Sequence, residues 1–211
     1  MKTAEVMVKE RPILFSAPMV RALLEGRKTQ TRRKLKRQPI DGDALEIGMF
    51  APTIVDRHGE EGPGKEGWGA SSEYECIPCP YGKPGDRLWV RETFGVWRRT
   101  SFEYEEFEQG RDALCGMTLA EWKVERGPQE LQFCYRADRD TTWFPSIHMP
   151  RWASRLTLEI TEVRVQRLQE ITTAEAISEG FESREDFAMF WKADEWNANP
   201  WVWALTFKVV A

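Results

Sequence analysis

The clearest hydrophobic pattern lies near the end of the chain. In RLTLEITEVRVQRL (155–168), Leu156, Leu158 and Ile160 alternate with polar residues, as one buried strand face requires. The phase then slips by one residue, and Val163 and Val165 carry it on. Such a slip predicts a β-bulge, the device by which small barrels bend. WVWALTFKVV (201–210) also has period two, with Trp201, Trp203, Leu205, Phe207 and Val209 on one side of a closing strand. GKPGDRLWVRETF (82–94) reads as a turn followed by a strand, with Leu88, Val90 and Phe94 on one side.

Helical spacing is confined to short segments. Ser16 is placed to cap a helix that carries Pro18 in its first turn and stops at Gly26. Thr172 and Glu175 form a capping box, opening the short helix TAEAISEG, which ends at Gly180. Another helix is expected after Ser183, with Phe187, Phe190 and Trp191 on one face. Where the first helix stops, KTQTRR (28–33) alternates as an exposed strand would.

Two stretches interrupt this order. From about 38 to 80 the Gly- and Glu-rich run GEEGPGKEGWGASSEYE predicts a long surface loop, with one short strand in MFAPTIVD (49–56). From about 98 to 146 a second insertion is expected to hold a helix opened by the Thr118–Glu121 capping box and a strand in LQFCYRA (131–137). There is no internal repeat and no βαβ rhythm. The expected class is α+β: one domain over 1–211, a small mixed β-barrel with peripheral short helices and two insertions.

Composition narrows the setting. Residues 1–20 have scattered charges and no sustained apolar core, so no signal peptide is read there, and no apolar run is long enough to span a bilayer. The cytoplasm is the expected location, with no membrane partner, and the sequence sets no oligomeric state. Four cysteines without an export signal read as thiols or ligands rather than disulfides. Net charge is −4, yet residues 27–37 hold seven Lys or Arg and no acid. A basic cluster on an acidic chain suggests a local anion site, not an extended duplex-binding face. The acidic run Glu103, Glu105, Glu106 and Glu108 suggests no role.

The chemistry-bearing residues fall in several places. Lys28 can deprotonate the Thr31 hydroxyl if its pKa is lowered, and Arg27, Arg32 and Arg33 supply like charges that would lower it. Residues three apart point to opposite faces of a strand, so Lys28 must sit in the turn after Gly26 and fold back. Thr29 is read as structural. Glu179 ends a short helix, where the dipole disfavours a carboxylate, which suits a proton donor but equally describes a solvated helix end. Cys76 and Cys79 are spaced as half a zinc site, but His58, Cys115, Cys134 and His148 offer no second pair at useful spacing. His148, Arg151 and Trp152 read either as a phosphate-and-base site or as a packed entry to the long strand.

In order along the chain, LLEGRKTQTRR, KPGDRLWVRE, LTLEITEVRVQRLQEITTAEAISEGF and WALTFKVV resemble the ASCH-domain family, PUA-like β-barrels related to RNA-binding modules. These segments cover about half of the chain, and the insertions resemble those of larger ASCH proteins common in bacteriophage genomes. Within the family, the GRKT-x-T-x-R motif is similar to that of bacterial N4-acetylcytidine amidohydrolases. The resemblance implies Lys28 as base, Thr31 as nucleophile and Glu179 as catalytic glutamate. It implies an oxyanion stabilised by Arg33 or a backbone N–H, aromatic stacking by Trp89 or Trp152, and no cofactor. The implied partner is a modified nucleoside or RNA. Other ASCH proteins are assigned RNA binding or nuclease activity, so a non-catalytic RNA-binding module or a ribonuclease are the alternatives.

Overall fold

The structure, a computed structural model, describes residues 8–39, 45–72, 75–98, 131–134 and 142–210. It is an α+β protein whose described residues fall into two compact units. One holds the chain up to Ile13, Pro18–Val90 and the residues from Arg155 on; the other holds Leu14–Ala17 and Arg91–Ser154.

The first unit is built on a five-stranded sheet. Its strands are β1 (Glu10–Leu14), β8 (Arg87–Arg91), β12 (Thr157–Arg167), β13 (Trp201–Val209) and β2 (Gln30–Lys34), in the order β1-β8-β12-β13-β2. Among the described residues β1 and β2 are its edges. β12 and β13 pair antiparallel along most of their length, and the register shifts between Ile160 and Glu162. That shift is the bulge expected from the phase slip, and it keeps Leu158, Ile160 and Val163 buried together. β13 is buried on both faces from Val202 to Leu205, which a period-two reading of its aromatics does not anticipate.

Short helices explain the second buried face. α1 (Ala17–Leu24) precedes β2, while α2 (Thr173–Ser178), α3 (Arg184–Phe190) and α4 (Ala193–Ala198) lie between β12 and β13. Thr172 and Ser183 cap α2 and α3 as their positions predict. α4 follows without a capping side chain and ends at Asn199, which adopts the left-handed conformation. Phe187, Ala176, Ile171, Leu168 and Val202 form one buried cluster, with Trp191 and Trp196 packed on it. A polar strand beneath these helices is not exposed: Gln30, Thr31 and Arg32 of β2 are buried, correcting the reading of KTQTRR.

The first insertion is more ordered than a loop. β3 (Glu46–Phe50), β6 (Gly67–Ser71) and β7 (Cys76–Pro78) form a three-stranded sheet, and β4 (Thr53–Val55) pairs with β5 (Glu61–Pro63). Not all of the glycines that suggest a loop serve a turn: Gly69 serves close strand approach. A Cβ on Gly69 would overlap the Ile77 carbonyl oxygen.

In the second unit β9 (Phe94–Arg98) lies between β10 (Leu131–Cys134) and β11 (Thr142–Phe144). Phe94 stacks on Phe144 at 5.6 Å between ring centroids. β10 covers the first part of the strand expected in 131–137. The helix expected from Thr118, the acidic run around Glu105 and Cys115 lie outside the described residues. No helix of the described residues is long and apolar enough to cross a membrane.

Candidate functional site

The exit of α1 sets the site. Arg27 N and Lys28 N both donate to the Ala22 carbonyl, at 2.9 and 3.1 Å, turning the chain back on the helix. Thr29 N then donates to Ser178 O at the end of α2, and Thr29 O accepts from Phe207 N of β13. Thr29 is thus structural through its backbone. Lys28 sits before β2, in the turn that follows Gly26, and is 2% exposed.

The lysine meets the end of α2. Lys28 Nζ donates to Glu179 O at 2.7 Å and to Glu179 Oε2 at 3.2 Å, joining residues 151 positions apart. Glu179 is the C-cap of α2 and is itself buried. The next residue, Gly180, has φ +91°, and a Cβ there would stand 3.2 Å from Ala22 Cβ and 3.5 Å from Lys28 Cβ. Only glycine lets the helix end this close to Lys28 without strain.

Arg32 completes the ion cluster. Its Nη1 donates to Glu179 Oε1 at 3.1 Å and to Gln30 Oε1 at 2.7 Å. Its Nη2 lies 3.1 Å from Glu175 Oε2, an ion pair without the alignment of a hydrogen bond. Glu175 Oε1 in turn accepts from Arg164 Nη2 of β12 at 2.7 Å, while Oε2 accepts from Thr172 N in the capping box. Glu175 and Glu179 are four apart on one helix face, and the guanidinium bridges them.

Burial, not neighbouring charge, is the main influence on Lys28. Desolvation pushes its ammonium below the ordinary 10.5; the Glu179 carboxylate opposes this, and Arg33 and Arg32 reinforce it. Arg27 plays no such part, because it is exposed and paired with Glu25. Burial likewise lowers Arg33, opposed by Tyr81 and Glu179. Burial raises the Tyr81 phenol, and Arg33 lowers it. A buried lysine against a carboxylate is an arrangement that can exchange one proton between a charged and a neutral pair.

The structure therefore brings Lys28 and Glu179 into contact. Thr31 is buried in β2 opposite Leu205. Because Gln30 and Arg32 meet on one face of the strand, alternation puts Thr31 with Arg33 on the other. Trp89 is buried in β8, opposite Thr157 and three strand positions from β2 in sheet order. His148, Arg151 and Trp152 belong to the second unit, on two 3-10 turns, with His148 and Arg151 exposed and Trp152 half-buried.

Cys76 and Cys79 are free thiols at β7, and burial pushes the Cys79 thiol up. His58 is exposed and accepts from Arg57 Nε. Among the described residues no three His, Cys, Asp or Glu side chains gather as a metal site.

Sequence reasoning missed Arg164 and Tyr81, and named Arg32 only as a like charge near Lys28 and Glu175 only as a capping residue. The signal available was the i,i+4 pair of carboxylates in the capped helix, which needs a cation if that face is buried. Compared with known protein families, with curated proteins and with solved structures, the chain finds a match in none of the three.

Proposed function

We propose that the chain is an ASCH protein with a PUA-like barrel, and that it hydrolyses the amide of N4-acylated cytosine nucleosides such as N4-acetylcytidine. The observation that carries this reading is the buried Lys28–Glu179 contact, with Nζ and Oε2 3.2 Å apart. The bulged β12, paired with β13 and followed by short helices, supports the barrel assignment.

The reactive form is the neutral pair, one proton transfer away from the ion pair, and the burial of Lys28 favours its uncharged amine. Thr31 lies on the face of β2 away from the Arg32–Glu179 contact, so Lys28, which precedes the strand, turns from Glu179 round its end to take the Thr31 hydroxyl proton as the oxygen attacks the acyl carbon. Arg33, the next residue on that face of β2, stabilises the oxyanion. The C–N bond breaks, and the cytosine amine leaves with the proton held by Glu179. The Lys28 ammonium returns its proton to Glu179. Water, deprotonated by Lys28, then opens the threonyl ester, and that proton restores the Thr31 hydroxyl. The products are a cytosine nucleoside and a carboxylic acid.

The test is ultraviolet spectroscopy of N4-acetylcytidine with purified protein. Conversion to cytidine is expected, Thr31→Val should reduce it to background, and Thr31→Ser should retain part of it. Absence of conversion across several N4-acyl groups, or full activity in Thr31→Val, overturns the proposal.

A further inference from the structure

The described residues form a concave surface at the far end of β2 from Lys28. It is an open cleft of about 560 Å³, lined by Lys34, Gln38, Pro39, Arg167, Pro200 and Trp201, among others. Two of its side chains are cationic and none is a carboxylate. Among the described residues the Lys34 ammonium pairs with Glu195, at 3.5 Å, and its side chain is 45% exposed. The Arg167 guanidinium lies over the Trp201 ring, 4.6 Å from its centroid, making a flat cationic platform. The two prolines are rigid apolar walls beside it.

The cleft is preorganised. Gln38 ties the strand exit to β13: its Nε2 donates to Leu35 O and Trp201 O, and its Oε1 accepts from Trp201 N. Arg167 Nη1 donates to Asn199 O, and Gln169 N donates to Asn199 Oδ1. The backbone around Trp201 is therefore fixed before any ligand arrives, which limits the ordering cost of binding.

We propose that this cleft binds one nucleotide unit of a single-stranded nucleic acid, its phosphate between Lys34 and Arg167 and its base against the Trp201 platform. Arg167 and Lys34, whose 3.5 Å contact with Glu195 a phosphate would have to replace, suit a phosphate, and an aromatic face beside them suits any base, which is the composition of sequence-tolerant single-strand sites. Its volume is within the range of small-ligand sites. Lys34 is three residues from Thr31 on β2, about 10 Å along the strand and on its opposite face, so a strand engaging both would pass round this edge of the sheet. The corollary that the acylated cytosine is presented within a strand, rather than as a free nucleoside, rests on the hydrolase reading; the binding proposal does not.

Fluorescence anisotropy of a fluorescein-labelled oligouridylate tests binding without calling on activity. The wild-type protein should bind it, with affinity falling as salt rises. Lys34→Glu should weaken binding about tenfold and reduce the log–log salt slope by about 0.7, one single-strand phosphate contact. Trp201→Leu should weaken it about tenfold with little change of slope. Lys208→Glu, a matched charge reversal at the other end of β13, should bind as wild type does. Wild-type affinity in Lys34→Glu, an equal loss in Lys208→Glu, or no binding by the wild-type protein overturns the proposal. If uridine 5′-monophosphate displaces the oligonucleotide at equal affinity, the cleft takes free nucleotides and the strand claim fails.

Discussion

Replacing Glu179 with glutamine removes the carboxylate shared by two buried cations, Lys28 at 3.2 Å and Arg32 at 3.1 Å. At an effective dielectric near 20, each contact at such a distance represents about 5 kcal/mol of attraction, already opposed by desolvation. Breaking a buried pair by removing one partner typically costs about 3–5 kcal/mol, because a charge is left uncompensated. Glutamine keeps one carbonyl acceptor, but Lys28 and Arg32 would then face each other. In a chain of this size each kcal/mol shifts the melting temperature by about 2–4 °C, so Glu179→Gln should melt about 6–20 °C lower. Calorimetry near pH 7 measures this, with Lys28→Met and the double variant completing a cycle. The double variant should be more stable than Glu179→Gln alone, since methionine fills the lysine channel and Arg32 retains Glu175. A melting point within about 2 °C of wild type for Glu179→Gln, or a double variant no more stable than it, refutes the reasoning.

Lys28 also makes stability depend on pH. Its folded pKa lies below 10.5, so between the two values the unfolded chain binds more protons than the folded one. The stability Lys28 contributes therefore rises with pH through that window and is lost as pH falls through the folded value. Urea unfolding from pH 7 to 10 should show wild type gaining on Lys28→Met, and a constant difference would exclude the lowered lysine. Gly180→Ala puts a Cβ at φ +91° and 3.2 Å from Ala22 Cβ. It should cost about 1–3 kcal/mol by chemical denaturation, whereas an unchanged midpoint would mean that α1 and α2 meet elsewhere.

What the sequence conveyed and what it concealed follow from the range of each signal. The bulge in β12 was legible because a one-residue slip reverses which side chains face inward, and Val163 had to remain inside. The caps of α2 and α3 were legible because Thr172 and Ser183 act within three residues. β6 was not, because its glycines look like a loop until the Ile77 carbonyl is known to lie against Gly69. Arg32 is legible as a like charge beside Lys28 but not as a buried ion-pair partner, because its carboxylates come from a helix about 140 residues later in the chain. Lys28 and Glu179 were each nameable as candidates, but only folding makes them contacts. The reason Lys28 is perturbed differs from the sequence argument too, since burial outweighs the arginines.

The cluster also explains why Arg32 of β2 and Lys28 before it can be buried at all. Glu175 is held at both ends of its carboxylate: it closes the α2 cap through Thr172 N, and it pairs with Arg164 and Arg32. Arg32 then reaches one helical turn further, to Glu179, which accepts from Lys28. The element that starts the helix thus fixes the position of the carboxylate that ends it. Two carboxylates from one short helix offset Arg32 and Lys28, which is what permits these cations to lie under α2 instead of in water. A displacement of α2 along its axis would separate Glu179 from Lys28 and Glu175 from Arg32 together, so the ion cluster sets both where the helix rests and what charge the lysine meets.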